Sequence, residues 1–345
     1  MDDVQLIERY RSEVPERDEV ARTNALRALD NHLAGRGRPR SRRRHLVVPA
    51  AGLVIAGAVL AVVLTADIGG GPVRVEPAAA AVLERAAESA AARGLAGAIP
   101  DGKAWYQHSR ARYLTVVSGK YGYMRPSEGE LWVRADGSGR DLRTTGAAEF
   151  LTPQARDAWA AAGDPLVLGA DTDGDQRLGP GSSVLLYNLG DRQLTYREML
   201  ALPADPTRLA DLVAKGVRRC KCGQSFEQEQ FDVVGDFLRA PAVPARLRAA
   251  FFKVAAQLPG IATIGPATDA AGRTGVAIAR LEPYGQRNEL IFDPETGDLL
   301  GERSVITTEQ DVDGTGGRVP AGTVTGEVAY LQSGLVDSLA DPPRG

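Results

Sequence analysis

An uninterrupted apolar run from Leu46 to Ala66 is the feature that most constrains this chain. A helix of that length would rise about 30 Å, which is enough to cross the hydrocarbon core of a bilayer. A basic segment comes directly before it and consists of Arg36, Arg38, Arg40, Arg42, Arg43 and Arg44. Together the two segments predict one transmembrane helix over 46–66 and a cell-membrane location.

The basic segment also predicts the orientation of the chain. Arginines in a short loop beside a membrane helix stay in the cytoplasm, so residues 1–45 are expected inside and 67–345 outside. The same arginines can contact anionic lipid head groups. A signal peptide is the other reading of the apolar run, but such peptides have a shorter apolar core and a shorter segment before it. Cleavage at the small residues of 78–81 stays open.

Residues 1–45 read as a helical tail that is too small to bury a core of its own. Leu26, Leu29 and Leu33 recur at helical spacing and form an apolar face on a charged helix. This face is either part of a marginally stable extension or a docking surface for a cytosolic partner, as in helix-in-groove recognition.

Charge and cysteine content narrow the function classes. The first 45 residues hold 11 arginines and 8 acidic residues, whereas the whole chain has a net charge of −3, so the remainder is acidic. An acidic exterior does not favour nucleic acid as a partner. The two cysteines, Cys220 and Cys222, lie outside according to this topology, where oxidation is permitted. Free thiols, a local bridge, intermolecular pairing and a metal or redox role all stay open.

The exterior region reads as an α+β domain over 104–332. A linker and an Ala-rich helix (67–103) precede it, and a loose tail (333–345) follows it. Strands with alternating apolar residues are expected at 105–117, 130–134 and 140–145, and again at 262–268, 275–281, 289–292, 299–306 and 323–331. Helices are expected between these groups, including 244–258, whose apolar stripe should cover a sheet. The predicted fold is therefore a helical tail, one transmembrane helix and a curved antiparallel sheet covered by helices.

Two features of the sequence are candidate functional sites. Asp171, Asp173 and Asp175 alternate as in calcium loops, but the glycine comes too early and Ser182 stands where a ligating Glu is needed, so a solvated loop is favoured. His108 is the only histidine of the predicted exterior and has no nucleophile motif beside it. The sequence predicts no enzyme, no metal and no cofactor.

Four stretches resemble one family of actinobacterial membrane-anchored proteins. They are Leu202-Pro-Ala-Asp-Pro206, Arg248-Ala-Ala-Phe-Phe252 through Leu258-Pro-Gly260, Asp269 through Gly275, and Ile291 through Glu302. The family has no assigned activity, but its members are often encoded beside extracytoplasmic-function sigma factors. The resemblance therefore implies an anti-sigma-like role for the tail, with a sigma factor or another cytosolic regulator as partner. The zinc-binding His/Cys pattern of one anti-sigma class is absent, since residues 1–45 contain no cysteine.

The exterior domain is also similar to lipoprotein-carrier-like half-barrels, in which a sheet wraps helices around an apolar cavity. Two functions follow as expectations. One is regulation, with a sensing domain outside and a partner-binding tail inside. The other is an envelope module that binds a lipid, a lipopeptide or another apolar ligand and has no signalling role.

Overall fold

The computed structural model describes residues 76–117, 121–164, 173–220, 225–280, 285–340 and 342–343. They belong to one compact unit, Gly69–Gly345. The predicted tail, its Leu26, Leu29 and Leu33 face, the arginines of 36–44 and the predicted span 46–66 lie outside the described residues.

The described part of the chain is built mainly from strands. They are β1 (Ala104–Val117), β2 (Tyr121–Val133), β3 (Gly139–Thr145), β4 (Gly174–Leu178), β5 (Tyr187–Leu189), β6 (Arg192–Leu194), β7 (Ile261–Thr268), β8 (Thr274–Arg280), β9 (Gln286–Phe292), β10 (Leu299–Ile306), β11 (Gln310–Asp311), β12 (Arg318–Val319) and β13 (Val324–Val336). The α-helices are α1 (Pro77–Arg93), α2 (Pro153–Ala161), α3 (Tyr196–Leu200), α4 (Pro206–Arg219), α5 (Phe226–Arg239) and α6 (Ala245–Ala255).

Nine of these strands form one antiparallel sheet in the order β4-β3-β2-β1-β13-β10-β9-β8-β7. The two meanders β1–β4 and β7–β10 therefore do not pair with each other directly. The last strand, β13, lies between them and pairs with β1 on one side and with β10 on the other.

Helices α1, α4, α5 and α6 pack on one face of the sheet. On that face, Ile278, Leu290 and Phe292 pack with apolar residues of α1, α4, α5 and α6 in the main core. Phe237 of α5 and Phe251 of α6 stack with ring centroids 4.2 Å apart. Strands β8 and β9 also bury their opposite face, where Ala277 and Ile291 belong to a smaller apolar cluster. This two-sided burial explains the short apolar runs 276–279 of β8 and 290–292 of β9.

Local sequence signals set the helix boundaries. Proline occupies the first turn of α1, α2 and α4, where its missing N–H leaves no intrahelical bond unmade. Thr152, Thr195, Asp205 and Ser225 cap the helices that follow them through their side-chain oxygens. These signals were readable in the sequence, and the helices expected in this region are observed.

The expected fold class is wrong. Within the described ranges, a large antiparallel sheet dominates and only a few helices accompany it. No helix of these ranges is long and apolar enough to cross a bilayer. The physical reason is visible in α1, which is Ala-rich but carries Glu84, Arg85, Glu88 and Arg93 at exposed positions. A helix of this kind packs its apolar side on a sheet and exposes its charged side to water. Its charged side is unsuited to hydrocarbon.

Two segments expected to be irregular are strands. The polar stretch around Asp173 contains β4, which pairs only with β3 at the sheet edge and is exposed on both faces. Its lack of apolar alternation follows from that edge position. Residues 333–336 were expected in the loose tail but continue β13, because they pair with 104–107 of β1.

Candidate ligand-binding cleft

A cleft of about 710 Å³ lies between the helical layer and the sheet. Helix α1 and the ends of α5 and α6 form one wall, and β1, β13 and the start of β10 form the other. Apolar side chains such as Leu95, Trp105, Leu238 and Phe252 line part of it. The volume falls in the range of small-molecule sites, which is roughly 300–1,000 Å³.

The cleft opens where two neighbouring strands part. Strands β10 and β13 pair as far as Gly301 and Ala329, and the next two residues, Leu300 and Tyr330, are not paired. From there β13 pairs with β1 alone, and every residue from Tyr330 to Leu335 lines the cleft. Because successive side chains of a strand point to opposite faces, an unbroken run of this kind presents the backbone edge of the strand to the cleft.

Arg273 holds the parted strands in place. Its Nη2 donates to the carbonyl oxygens of Leu300, at 2.7 Å, and Tyr330, at 2.9 Å. Its Nε donates to Oδ2 of Asp269 at 2.8 Å, and the side chain of Asp269 has no exposed surface. One guanidinium therefore replaces the ladder hydrogen bonds that are lost where the cleft begins.

The rim of the cleft depends on close backbone approaches. Gly297, in the β9–β10 turn, has φ +73°, and a Cβ there would lie 2.9 Å from the backbone of Arg85 on α1. Near this turn, Arg93 and Asp298 form an ion pair with Nη2 and Oδ1 2.6 Å apart. Both side chains are about half exposed, 53% and 48%, so this pair lies at the solvent end of the cleft.

The charge of the cleft lining is strongly unbalanced. Among the described residues that line it there are four arginines and one acidic residue, Asp298. Arg93 pairs with Asp298, whereas Arg239 and Arg273 pair with carboxylates that do not line the cleft. The fourth, Arg248, donates through Nη1 to the carbonyl oxygen of Leu238 and through Nη2 to that of Ala240 at 2.9 Å.

Arg248 is the cation of the cleft without an acidic partner. Both hydrogen bonds above go to neutral carbonyl groups at the end of α5, and no carboxylate of the described residues forms an ion pair with Arg248. Burial lowers the pKa of Arg248 to about 10, which still leaves the guanidinium charged at neutral pH. Carbonyl dipoles solvate this charge, but they do not neutralise it.

Arg239 anchors a polar cluster at the inner end of the cleft. Its Nη1 donates to Oε2 of Glu302 at 3.0 Å, and its Nη2 contacts Oδ1 of Asp236. The hydroxyl of Tyr113 donates to Oε1 of Glu302 at 3.3 Å. Burial lowers the pKa of Arg239, but the charges of Glu302 and Asp236 raise it by more. The pKa of Arg239 therefore lies above its ordinary value. Burial and the charge of Glu302 raise the pKa of Tyr330 well above its ordinary value, so this phenol stays neutral.

Two smaller cavities adjoin this cluster. One of about 210 Å³ lies between α5 and the sheet and includes Tyr113, Arg239 and Glu302. Another of about 440 Å³ lies over β1, β2 and β3 and shares Tyr113 with the first and Gln107 with the main cleft. The face of the sheet beneath the helices is therefore only partly covered.

Trp105 lines the main cleft and also has an unpaired donor within the core. The residue is 7% exposed and belongs to the core, yet its indole Nε1 is buried without a hydrogen-bond partner. Buried polar atoms nearly always have a partner, and leaving one without an acceptor costs roughly 1–3 kcal/mol. This indole is one of three such atoms in the described part of the chain.

His108 is part of a network of ion pairs on the surface of the sheet. His108 lies on the face of the sheet opposite the helices, and its Nε2 is 2.8 Å from Oε1 of Glu128. Arg110 also donates to Glu128, at 3.0 Å. Hydrogen bonding from Arg110, and to a smaller degree from His108, lowers the pKa of Glu128.

The described aspartates of the candidate calcium loop have structural partners as well. Oδ1 of Asp173 accepts from the backbone N–H of Thr145 at 2.7 Å, and Asp175 pairs with Arg140 at 2.7 Å. Among the residues described, no group of three metal-binding side chains occurs; Asp171 lies outside them. Cys220 is disulfide-bonded, and Cys222 is the only other cysteine of the sequence.

The sequence pattern did not single out the cleft residues. Arg248 lies in the expected helix 244–258, whose apolar stripe predicted only that the helix covers a sheet. Trp105 begins the expected strand 105–117. An arginine next to the buried side of an amphipathic helix was the available signal.

Comparison with known proteins adds little to this geometry. No protein-family model and no curated protein sequence matches the chain. The chain is similar to a solved structure, the complex of MucA and MucB from Pseudomonas aeruginosa, at 13% sequence identity and a TM-score of 0.25. The match covers 77% of this chain and 59% of the neighbour's chain. A TM-score this low carries no argument about fold or function.

Proposed function

We propose that the described domain is a non-enzymatic binding module that takes an amphipathic ligand with an apolar chain into the cleft between α1, α6 and β13. The observation that carries the proposal is the cleft itself. Protein interiors are close-packed, and the core beside the cleft is filled, with Leu83, Phe251 and Phe292 fully buried. A space of about 710 Å³ next to such a core is a feature of the fold rather than loose packing.

The lining of the cleft supports an amphipathic ligand. Its apolar side chains come from both walls, whereas its arginines and the free edge of β13 offer hydrogen-bond donors and acceptors. Ligand sites typically combine a mainly apolar lining with a few placed polar groups. His108 and Asp173, which would have been the starting points for catalysis or metal binding, are both engaged in contacts on the sheet.

A location outside the cytoplasm is part of the proposal. Cys220 is disulfide-bonded, and disulfides persist mainly in oxidising compartments. The regulatory, anti-sigma-like function stays a prediction, because its Leu26, Leu29 and Leu33 face lies outside the described residues. A pull-down that compares the chain with a variant carrying Asp at these three positions tests it.

A cavity-filling variant tests the binding function. Ala90 of α1 lines the cleft, whereas its neighbour Ala91 is exposed. Ala90→Phe should weaken the binding of dodecanol, measured by isothermal titration calorimetry on the full chain, by tenfold or more. Ala91→Phe places the same side chain on the outer side of the same helix and should leave the affinity unchanged. Equal affinities of the two variants, or no binding of either dodecanol or dodecanoate to the unmodified chain, would refute the proposal.

A further inference from the structure

The cleft contains one charge that the described residues leave without an opposite charge. Arg248 has backbone carbonyls but, among those residues, no carboxylate against its charge. The other three arginines of the lining each pair with a carboxylate, so Arg248 is an exception within its own site.

We infer that the ligand of the cleft is an anionic amphiphile, whose carboxylate or phosphate head group binds Arg248. The inference rests on the proposed binding function and names its ligand class. An oxyanion supplies what this guanidinium lacks, since it neutralises the charge and accepts from its N–H groups. An uncharged head group would leave the cation uncompensated.

The energetics favour a negative over a neutral head group at this place. Removing a cation from water is costly unless an opposite charge accompanies it. The protein pays this cost at Arg248 without a carboxylate, although Asp269 shows that the fold can bury one beside an arginine when only structure is required. A ligand anion would recover the missing interaction, and hydrogen bonds between ionised groups are about twice as strong as neutral ones.

A structural role of Arg248 is the competing explanation, because its carbonyl contacts fasten the end of α5. The chain contains a matched control for that role. Arg246, on the same helix, donates to the carbonyl oxygens of Leu200, at 2.7 Å, and Leu202, but it is exposed and does not line the cleft. Substituting either arginine removes contacts to backbone carbonyls, and only one substitution removes a charge from the cleft.

The experiment compares ligands that share one chain and differ in the head group. Dodecanoate, dodecyl phosphate and dodecanol are titrated into the full chain by calorimetry, and inorganic phosphate and acetate are titrated as head groups without a chain. The two anions should bind at least tenfold more tightly than dodecanol. Arg248→Gln should reduce this preference to about twofold or less, whereas Arg246→Gln should preserve it.

Each alternative gives a different pattern. Equal affinity for dodecanoate and dodecanol would overturn the anionic head group and leave the binding function standing. No binding of any dodecyl ligand would refute the binding function itself. Binding of inorganic phosphate as tight as that of dodecyl phosphate would show a free-anion site and contradict the amphiphile. If Arg248→Gln lowers the melting temperature but keeps the anion preference, Arg248 is only a fastener of α5, and the assignment fails.

Discussion

Arg273 and Asp269 form an ion pair in which the aspartate is fully buried and the arginine is partly exposed. The Nε of Arg273 is 2.8 Å from Oδ2 of Asp269, whose side chain has no exposed surface, while Nη2 of the same guanidinium bridges the carbonyls of two parted strands. Oδ1 of Asp269 also accepts from the backbone N–H groups of Ala271 and Arg273, both at 2.9 Å. The pair fixes a tight turn and the strand split at once.

Asp269→Asn should therefore be strongly destabilising. It removes the partner of a charge within a closed hydrogen-bond network, and we expect a loss of about 3 kcal/mol in the free energy of unfolding. Chemical denaturation measures it. Asp157→Asn is the control, because Arg156 and Asp157 are both more than 60% exposed and such pairs contribute little. Equal effects of the two substitutions would show that the Asp269 network is not a structural element.

Gly297→Ala should damage the rim of the cleft. The left-handed conformation alone costs a residue with a Cβ about 1–2 kcal/mol, and the added Cβ would also collide with the backbone of α1 at Arg85. Gly163→Ala isolates the first effect, since Gly163 has φ +83° and no atom within 4 Å of a Cβ. We expect Gly297→Ala to be the more destabilising of the two and, unlike Gly163→Ala, to weaken dodecanol binding. Indistinguishable variants would argue against the close approach of turn and helix.

Removing the charge of Glu302 should strengthen the binding of anions. Glu302 compensates Arg239, so Glu302→Gln leaves that guanidinium with Asp236 alone and makes the cleft more positive. The affinity for dodecanoate should rise about threefold or more, while the affinity for dodecanol should not change. Glu309→Gln is the control, since Glu309 pairs with Arg318 at an exposed site. A lower dodecanoate affinity in a folded Glu302→Gln variant would contradict the electrostatic picture of the cleft.

The network around Glu128 should make stability depend on pH in the acidic range. Hydrogen bonding from Arg110 lowers the pKa of Glu128 in the folded state. A lowered pKa stabilises the fold above the unfolded-state value of about 4.3, and this stabilisation is lost as the pH falls through the folded-state pKa. Thermal melts between neutral pH and about pH 3 should show a shallower loss for Glu128→Gln than for the unmodified chain. The exposed Glu88→Gln on α1 should leave the slope unchanged.

Cys220→Ser should have a small effect on stability. Cys222 is the only available partner in the chain, so the bridge closes a ring of three residues. The loop-closure model gives such a ring at most about 1.5 kcal/mol. Titration with a thiol reagent should find no free thiol in the denatured, unreduced chain and two after reduction. Reduction of the unmodified chain should reproduce the stability of Cys220→Ser, and free thiols before reduction would contradict the bridge.

The sequence predicted most elements because their signals are local. Proline and capping residues marked the helices, and the alternation of apolar residues marked the strands of the second meander. It failed at β4 and at the end of β13, where the pairing partner rather than the strand's own side chains determines the structure. Ser333 and Gly334 have no apolar alternation, and they are ordered by β1, which lies far away in the sequence.

The cleft could not be predicted for a related reason. A cavity exists where side chains of distant segments do not meet, and no local pattern records a missing contact. Arg248 becomes notable only when Leu238, Ala240 and the edge of β13 are placed around it. The helical stripe of α6 was correctly predicted, but which of its flanking charges faces a cleft depends on the tertiary structure.

The position of β13 has a consequence for how the domain is made. The strand at the centre of the sheet is the last of its nine strands in sequence, so β1 and β10 each lack one pairing partner until β13 has been synthesised. Contacts between β1 and β13 join opposite ends of the described chain, and such long-range pairing slows folding. The nascent domain is thus exposed to edge-to-edge aggregation until its final strand arrives, which makes assistance by a chaperone during this interval advantageous.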